Sequence, residues 1–152
     1  MPSILHRLGI HAPLPKVYSA LSTIAGVSNW WTEETSGDEH IGGKIQFLFR
    51  DDDGGVKGKM RAEIKELKPS TRVCWQCIEG PAEWIGTDIT FDLSEQDGQT
   101  IVIFGHRNWK EEGEFMSHCS MKWATFLLSL REYVETGKGK PAPRDLKIDN
   151  WN

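Results

Sequence analysis

The sequence lacks the features that mark several large classes of protein. Only three cysteines occur in 152 residues, no Asn-x-Ser/Thr acceptor is present, and Met1–Arg7 has no apolar stretch like that of a signal peptide. A secreted disulfide framework is therefore not expected, and the pattern predicts a protein of the reducing cytoplasm. The longest apolar run, Trp123–Leu130, is interrupted by two hydroxyl residues and falls far short of the ~20 residues that a membrane-spanning helix needs.

An excess of basic residues is also missing. The chain has 18 Lys and Arg against 22 Asp and Glu, a net charge of −4. Nucleic acid and anionic membrane surfaces both call for a basic face, so neither is an expected partner. The basic series at Lys57, Lys59, Arg61 and Lys65 alternates with other residues along one predicted strand, which is typical of a solvated strand face.

Metal-binding and redox motifs are nearly absent as well. The pair Cys74 and Cys77 has the C-x-x-C spacing, but it lies in a β-branched and aromatic run that reads as a strand. Residues three apart on a strand point to opposite faces, so we interpret both as structural cysteines. Glu114 and His118 could share a helix face, but two ligands do not make a site. We therefore predict no metal and no cofactor.

Seven tryptophans are the unusual feature of the composition. Such large aromatic surfaces predict a core or a cavity that is lined with indoles. A chain of 152 residues has the length of one domain and can bury enough surface to fold without staples. We therefore predict a single domain over residues 1–152, in which residues 137–152 form a loosely packed C-terminal tail.

The first third of the chain predicts a strand followed by short helices. Residues 3–11 alternate loosely, and a proline-containing segment ends this strand and begins a helix at Pro15. Helical spacing continues to Ile24. The segment Ser28–Trp31 then predicts a short second helix or a tight turn that carries two indoles.

The remainder predicts a meander of strands and then one long helix. Alternation with period two predicts five strands between residues 44 and 106, joined by hairpin signals such as Asp97-Gly98. From about Glu114 to Thr136 an apolar stripe with helical spacing predicts a long helix, which Gly137 ends. A curved antiparallel sheet wrapped around this helix would bury both apolar surfaces.

Short motifs spread in order over nearly the whole chain carry a family resemblance. They are Ala12-Pro13 with Val17-Tyr18 and Ala20-Leu21, Trp30-Trp31-Thr32, Gly42-Gly43, Pro69-Ser70-Thr71-Arg72-Val73-Cys74-Trp75, Thr87-Asp88-Ile89-Thr90-Phe91, Thr100-Ile101-Val102 with His106 and Trp109, and Trp123 with Leu127, Ser129 and Leu130. The chain resembles the SRPBCC or START-like superfamily, which includes the birch-pollen allergen, START lipid-transfer domains and polyketide cyclases. Within it, the chain is most similar to small bacterial proteins related to the C-terminal domain of the Hsp90 ATPase activator (AHSA1-like).

The resemblance implies an α+β helix-grip fold of the Bet v 1-like or TBP-like type. In this fold a curved, six-stranded antiparallel sheet wraps around a long C-terminal helix, with two short helices after the first strand. Members of the superfamily range from lipid carriers to cyclases and dehydratases, so no catalytic residue carries over. We expect a cavity between the sheet and the helix that binds a small hydrophobic or aromatic molecule.

The side chains predicted to line that cavity are apolar residues facing the space between sheet and helix, with two histidines as polar contacts. They are Trp30, Phe47, Met60, Trp75, Ile89, Phe104, His106, Met116, His118, Trp123 and Leu127. Either histidine could donate a hydrogen bond to a ligand or act as a general base.

Two further functions stay open at this level. One is an enzyme resembling polyketide cyclases or aromatases, although a general base needs a nucleophile or an orienting partner and the sequence names none. The other is an interaction module like the Hsp90 activator. We do not expect chaperone stimulation, because the activator's separate N-terminal domain has no counterpart in these 152 residues. The oligomeric state stays open, with a homodimer among the alternatives.

Overall fold

The computed structural model describes all residues, 1–152, and consists of one antiparallel sheet with three α-helices. In chain order the elements are β1 (Ile4–Ile10), α1 (Leu14–Ser22), α2 (Ile24–Ser28), β2 (Glu34–Gly37), β3 (Lys44–Arg50), β4 (Val56–Lys68), β5 (Arg72–Glu79), a 3₁₀ turn (Ala82–Trp84), β6 (Asp88–Gln96), β7 (Gln99–Arg107) and α3 (Glu114–Thr136).

The sheet is curved and has the strand order β1-β7-β6-β5-β4-β3-β2, with every neighbouring pair antiparallel. The prediction of six strands is wrong, because β2 pairs with the outer edge of β3 as a seventh. This strand is only Glu34–Gly37, and Thr35 is its single buried residue. Three polar residues and a glycine carry no alternating apolar pattern, so no period-two signal marks the strand.

The two short helices lie between β1 and β2. Leu14–Ser22 buries Val17, Ala20 and Leu21, and the side chain of Thr23 caps the following helix by accepting a hydrogen bond from the Gly26 amide at 3.0 Å. The sequence predicted a short helix or turn at Ser28–Trp31, whereas the second helix of the structure begins earlier, at Ile24. Gly26 allows the helices to cross closely, since a Cβ there would lie 2.7 Å from the Ala20 Cα.

The long helix α3 spans the predicted segment and packs across the concave face of the sheet. It buries a stripe that includes Cys119, Trp123, Leu127 and Leu130. Gly137 ends it in the left-handed conformation (φ 88°), and its amide donates to the Tyr133 carbonyl at 2.7 Å. The predicted α+β fold, with a curved antiparallel sheet and a C-terminal helix, is confirmed.

The tail after α3 is held at several points, unlike the loose packing predicted for it. The Lys140 amide donates to Ser129 Oγ at 2.7 Å, and Ser129 Oγ in turn donates to the Trp30 carbonyl at 2.9 Å. The Ala142 amide donates to the Trp31 carbonyl at 2.7 Å, which adds a parallel bridge beside Thr32. The tail therefore runs back toward the N-terminal half of α3.

None of the three helices combines the length and the apolar character that crossing a bilayer requires.

Candidate functional site

An open cavity of about 490 Å³ lies between α3, the β3–β4 part of the sheet and the tail. Its size falls within the usual range for small-molecule sites, ~300–1,000 Å³. The apolar part of the lining is mainly aromatic and comprises Trp31, Phe49, Met60, Pro81, Trp84, Phe115, Cys119, Trp123, Phe126, Ala142 and Trp151. Charged and polar groups also line it, namely Arg50, Lys57, Lys59, Glu83, His118, Lys122 and Asp145.

The structure brings three of the predicted lining residues together around this cavity: Met60, His118 and Trp123. Met116 is half-buried against the core and does not line it. The other seven are buried in the core or the interior beside the cavity and are not part of its wall; they are Trp30, Phe47, Trp75, Ile89, Phe104, His106 and Leu127.

The middle of the sheet–helix space is filled by aromatic rings, which explains this displacement. The Trp31 ring stacks on Trp75 with centroids 6.0 Å apart and an interplanar angle of 3°. Trp31 also lies 4.4 Å from Phe47 and 4.9 Å from Trp123, and Trp123 lies 4.5 Å from Phe104. Because these rings occupy the centre, the open volume is left at the end of the space that the tail borders.

His106 lies behind the cavity wall in a fully satisfied hydrogen-bond chain. The Trp123 indole N–H donates to His106 Nδ1 at 3.1 Å, so the ring proton is on Nε2, which donates to Thr87 Oγ1 at 2.7 Å. The Thr87 hydroxyl then donates to the Trp84 carbonyl at 2.5 Å. Burial lowers the pKa of His106 to about 3, so the ring is neutral at physiological pH.

This arrangement gives His106 a positioning role for two cavity residues. Its Nδ1 holds the Trp123 indole, and its ring lies perpendicular to that of Trp84, with centroids 4.8 Å apart and an interplanar angle of 90°. Trp84 and Trp123 themselves stack with centroids 6.2 Å apart. Both ring nitrogens of His106 form hydrogen bonds within the protein, so neither is free to bind a ligand.

Trp84 contributes its ring to the cavity wall, whereas its indole N–H is buried. Its indole Nε1 is buried and has no hydrogen-bond partner of regular geometry, which is uncommon for a buried N–H. Cys119 lies beside it on the same wall. Burial raises the pKa of the Cys119 thiol to about 12, while the neighbouring Trp84 N–H opposes that rise. The thiol therefore stays protonated and behaves as part of an apolar wall.

The tail borders the cavity, and two of its acidic residues bind side chains of α3. Asp145 forms an ion pair with Lys122, and both side chains are mostly buried. Asp149 Oδ2 accepts a hydrogen bond from His118 Nδ1 at 2.7 Å. This bond from His118, followed by one from the Trp151 amide, lowers the pKa of Asp149. His118 is thereby oriented by a carboxylate, and its Nε2 makes no hydrogen bond.

A β-bulge brings Lys57 into the cavity lining. Arg50 pairs with Val56 and Phe49 with Gly58, so Lys57 is the extra residue of β4 and has no partner on β3. Strict alternation would place Lys57 on the solvated strand face, as the sequence predicted; Lys59, predicted on the same face, also borders the cavity. Lys57 instead lines the cavity, where burial, followed by the nearby Lys122 charge, lowers its pKa.

Most of the remaining cavity residues had no usable signal in the sequence. Trp84 and Trp151 belong to the unusual set of indoles, so the tryptophan count alone pointed to them. Asp145 lies in a tail that has no periodicity to predict its position. The three cysteines are all free and buried, so Cys74 and Cys77 form no disulfide. No group of three or more His, Cys, Asp or Glu side chains comes together to hold a metal ion.

Comparison with known proteins agrees with this architecture. The sequence model of the family described as "Activator of Hsp90 ATPase homolog 1-like protein" matches residues 11–135, most of the chain. The chain belongs to this family. The family predicted from the sequence motifs is thus confirmed. No curated protein is significantly similar to the chain.

Solved structures support the same assignment. The chain is similar to the Aha1 dimer from Colwellia psychrerythraea, with 43% identity and a TM-score of 0.78 over 91% of this chain and 100% of that one. It shares its fold with SSP2350 from Staphylococcus saprophyticus (16% identity, TM-score 0.73, 93% of this chain and 98% of that one). It also shares its fold with CalU16 from Micromonospora echinospora (20% identity, TM-score 0.69, 89% of this chain and 77% of that one).

Proposed function

We propose that this AHSA1-like protein binds a small hydrophobic or aromatic molecule in the cavity between α3, the sheet and the tail. The observation that carries the proposal is an open space of about 490 Å³ whose wall is mainly aromatic. Apolar walls with a few polar groups are typical of small-molecule sites. His118 and Lys122 supply such polar groups on the same wall.

A cavity-filling variant tests this function directly. Gly58 lines the cavity, and a Cβ added there would meet no atom within 4 Å. Gly58→Leu should therefore occupy the binding space without disturbing the core. Gly113, which precedes α3 and lies outside the cavity, has equally open surroundings, so Gly113→Leu is the matched control.

The probe is N-phenyl-1-naphthylamine, an uncharged aromatic dye whose fluorescence rises in apolar surroundings. We expect saturable binding to the wild type and to Gly113→Leu, with affinity at least tenfold lower for Gly58→Leu. A tenfold loss corresponds to ~1.4 kcal/mol, a modest demand for excluding part of an aromatic ligand. Equal affinities for all three proteins would show that the dye binds elsewhere, and absence of saturable binding to the wild type would refute the proposed function for this probe class.

His118 favours a second candidate function, proton transfer on a carbonyl compound held in the same cavity. Its Nδ1 is oriented by Asp149, as in many general bases, and its Nε2 has no protein partner. In such a reaction Nε2 would take a proton from the carbon next to the carbonyl and return one from solvent. Exchange of the methyl protons of 2-acetylnaphthalene in D2O, followed by NMR, should then be accelerated by the wild type and not by His118→Gln.

Assembly and chaperone contact are separate questions from the cavity. The similar protein from Colwellia psychrerythraea is described as a dimer, and a homodimer of this chain would be in line with it. Light scattering after size-exclusion chromatography distinguishes a monomer from a homodimer. We expect no stimulation of a purified chaperone's ATPase when this chain is added. Stimulation would overturn that expectation.

A further inference from the structure

Charge is unevenly distributed around the cavity. The protein as a whole carries a net charge of −4. The cavity lining has the opposite bias, with four cationic side chains against two acidic ones; they are Arg50, Lys57, Lys59 and Lys122 against Glu83 and Asp145. A concave surface lined by one sign of charge concentrates ligands of the other sign.

Two of these cations already have carboxylate partners. Arg50 Nη2 donates to Glu34 Oε1 at 3.2 Å, and Lys122 is paired with the buried Asp145. Asp145 also accepts from Lys147 at 3.1 Å, so one carboxylate is shared between two ammonium groups. Lys57 and Lys59 form no ion pair.

Of these two lysines, Lys57 lies near the ammonium groups of Lys122 and Lys147, so its charge has an unmet electrostatic requirement. It is the bulged residue of β4, it is exposed to solvent, and it lines the cavity that α3 borders. Burial and the charges of Lys122 and Lys147 all lower its pKa, and only the carboxylates of Asp145 and Asp51 oppose them. An anion placed among these ammonium groups would relieve their repulsion and would gain a charge-assisted hydrogen bond.

Resting on the proposed function, we propose that the ligand is amphipathic: an anionic head, such as a carboxylate, pairs with Lys57 at the cavity mouth, and an apolar body lies against the indoles of Trp84 and Trp123. The aromatic wall and the unpaired cation belong to the same continuous cavity, so one molecule can contact both. A neutral hydrocarbon would leave the positive charge uncompensated, and a cationic amphiphile would add to the repulsion.

Three probes with the same ten-carbon chain and different heads separate the contributions. They are decanoate, decan-1-ol and decyltrimethylammonium, each kept below the concentration at which it forms micelles. Affinity is measured by displacement of N-phenyl-1-naphthylamine at low salt and again at 0.3 M NaCl. We expect decanoate to bind about tenfold or more tightly than decan-1-ol, the ammonium compound to bind least tightly, and the advantage of decanoate to shrink at high salt.

The role of Lys57 is tested with a matched pair of charge-removing variants. Lys57→Met should lower decanoate affinity about tenfold and leave decan-1-ol affinity within about twofold of the wild type. Lys16→Met is the control, because Lys16 is an exposed lysine of α1 that lies outside the cavity and forms no ion pair. It should leave both affinities unchanged, although it alters the net charge equally.

Different outcomes test the anionic head, its pairing with Lys57 and ligand binding itself. Equal binding of decanoate and decan-1-ol, or a preference for the ammonium compound, would overturn the anionic head while leaving ligand binding intact. A parallel loss of decanoate and decan-1-ol affinity in Lys57→Met would overturn the assignment of the head to Lys57. Failure of all three probes and of the dye to bind would instead refute ligand binding itself.

Discussion

Replacing His106 should make the free energy of unfolding less sensitive to acid between pH 7 and pH 5. The ring is fully buried, and its pKa is about 3 in the folded protein compared with an ordinary value of 6.5. Its closest groups are Thr87, Trp84, Trp109 and Trp123, none of which titrates in this range. Burial alone therefore keeps the folded state from binding the proton.

The sign and size of the effect follow from proton linkage. Between pH 6.5 and pH 3 the unfolded chain protonates this histidine and the folded protein does not, so acid favours unfolding. The stabilisation is fully present above pH 6.5 and is lost progressively as the pH falls toward 3. The slope is about 1.4 kcal/mol per pH unit, which amounts to about 2 kcal/mol between pH 7 and pH 5.

His106→Asn is the informative substitution. The side-chain oxygen of asparagine occupies about the place of Nδ1 and can still accept from the Trp123 N–H, but it does not titrate. The variant should be less stable than the wild type at pH 7, because the hydrogen bond to Thr87 is lost. The difference in unfolding free energy between wild type and variant should then shrink by about 2 kcal/mol at pH 5.

Urea unfolding followed by circular dichroism at pH 7, 6 and 5 measures this difference. Every other titrating group is common to the two proteins and cancels in the comparison. His40→Asn is the control, since His40 is exposed in the loop after β2 and its surroundings change little on unfolding. A wild-type advantage over His106→Asn that is the same at pH 7 and pH 5 would refute the buried, neutral ring.

Three further outcomes are expected. Thr87→Val removes the acceptor of the buried histidine donor and should cost about 1–3 kcal/mol in urea unfolding; an unchanged midpoint would contradict the hydrogen-bond chain. Gly26→Ala forces a Cβ to within 2.7 Å of neighbouring backbone and should cost about 1–3 kcal/mol, whereas tolerance would argue against the close helix crossing. Burial raises the pKa of Cys74 to about 11 and those of Cys77 and Cys119 to about 12, so a thiol-specific disulfide reagent at pH 8 should modify the unfolded chain rapidly and the folded protein very slowly.

The elements that the sequence predicted well are those with a strong local pattern. The apolar stripe of α3 and its terminal glycine located the helix at Glu114–Thr136, as observed. The Asp97-Gly98 turn adopts positive φ at both residues (51° and 76°), the conformation that such a pair predicts for a two-residue hairpin. β2 was missed because its three polar residues and one glycine have no strand-forming pattern of their own and form a strand only by pairing with β3.

The candidate site was less accessible to prediction. Alternation along the strands predicted that Trp75 and Phe104 point inward. An inward-pointing side chain can belong to a cavity wall or to a packed core, and these two belong to the core. The Trp31 ring decides between them, because it fills the centre of the space and leaves the opening beside the tail. The bulge that brings Lys57 into the lining depends on the pairing of β3 with β4, which residue alternation alone cannot reveal.

The sequence by itself determined the family, the antiparallel sheet with its long terminal helix, and the number of indoles available to line a cavity. Each of these is recorded locally, in motifs, in the period of apolar residues or in composition. Only the tertiary structure decided that His106 positions Trp123 and that the tail completes the cavity wall. Those features arise where residues far apart in the chain meet, and the packing of bulky rings against one another sets which space is filled and which stays open.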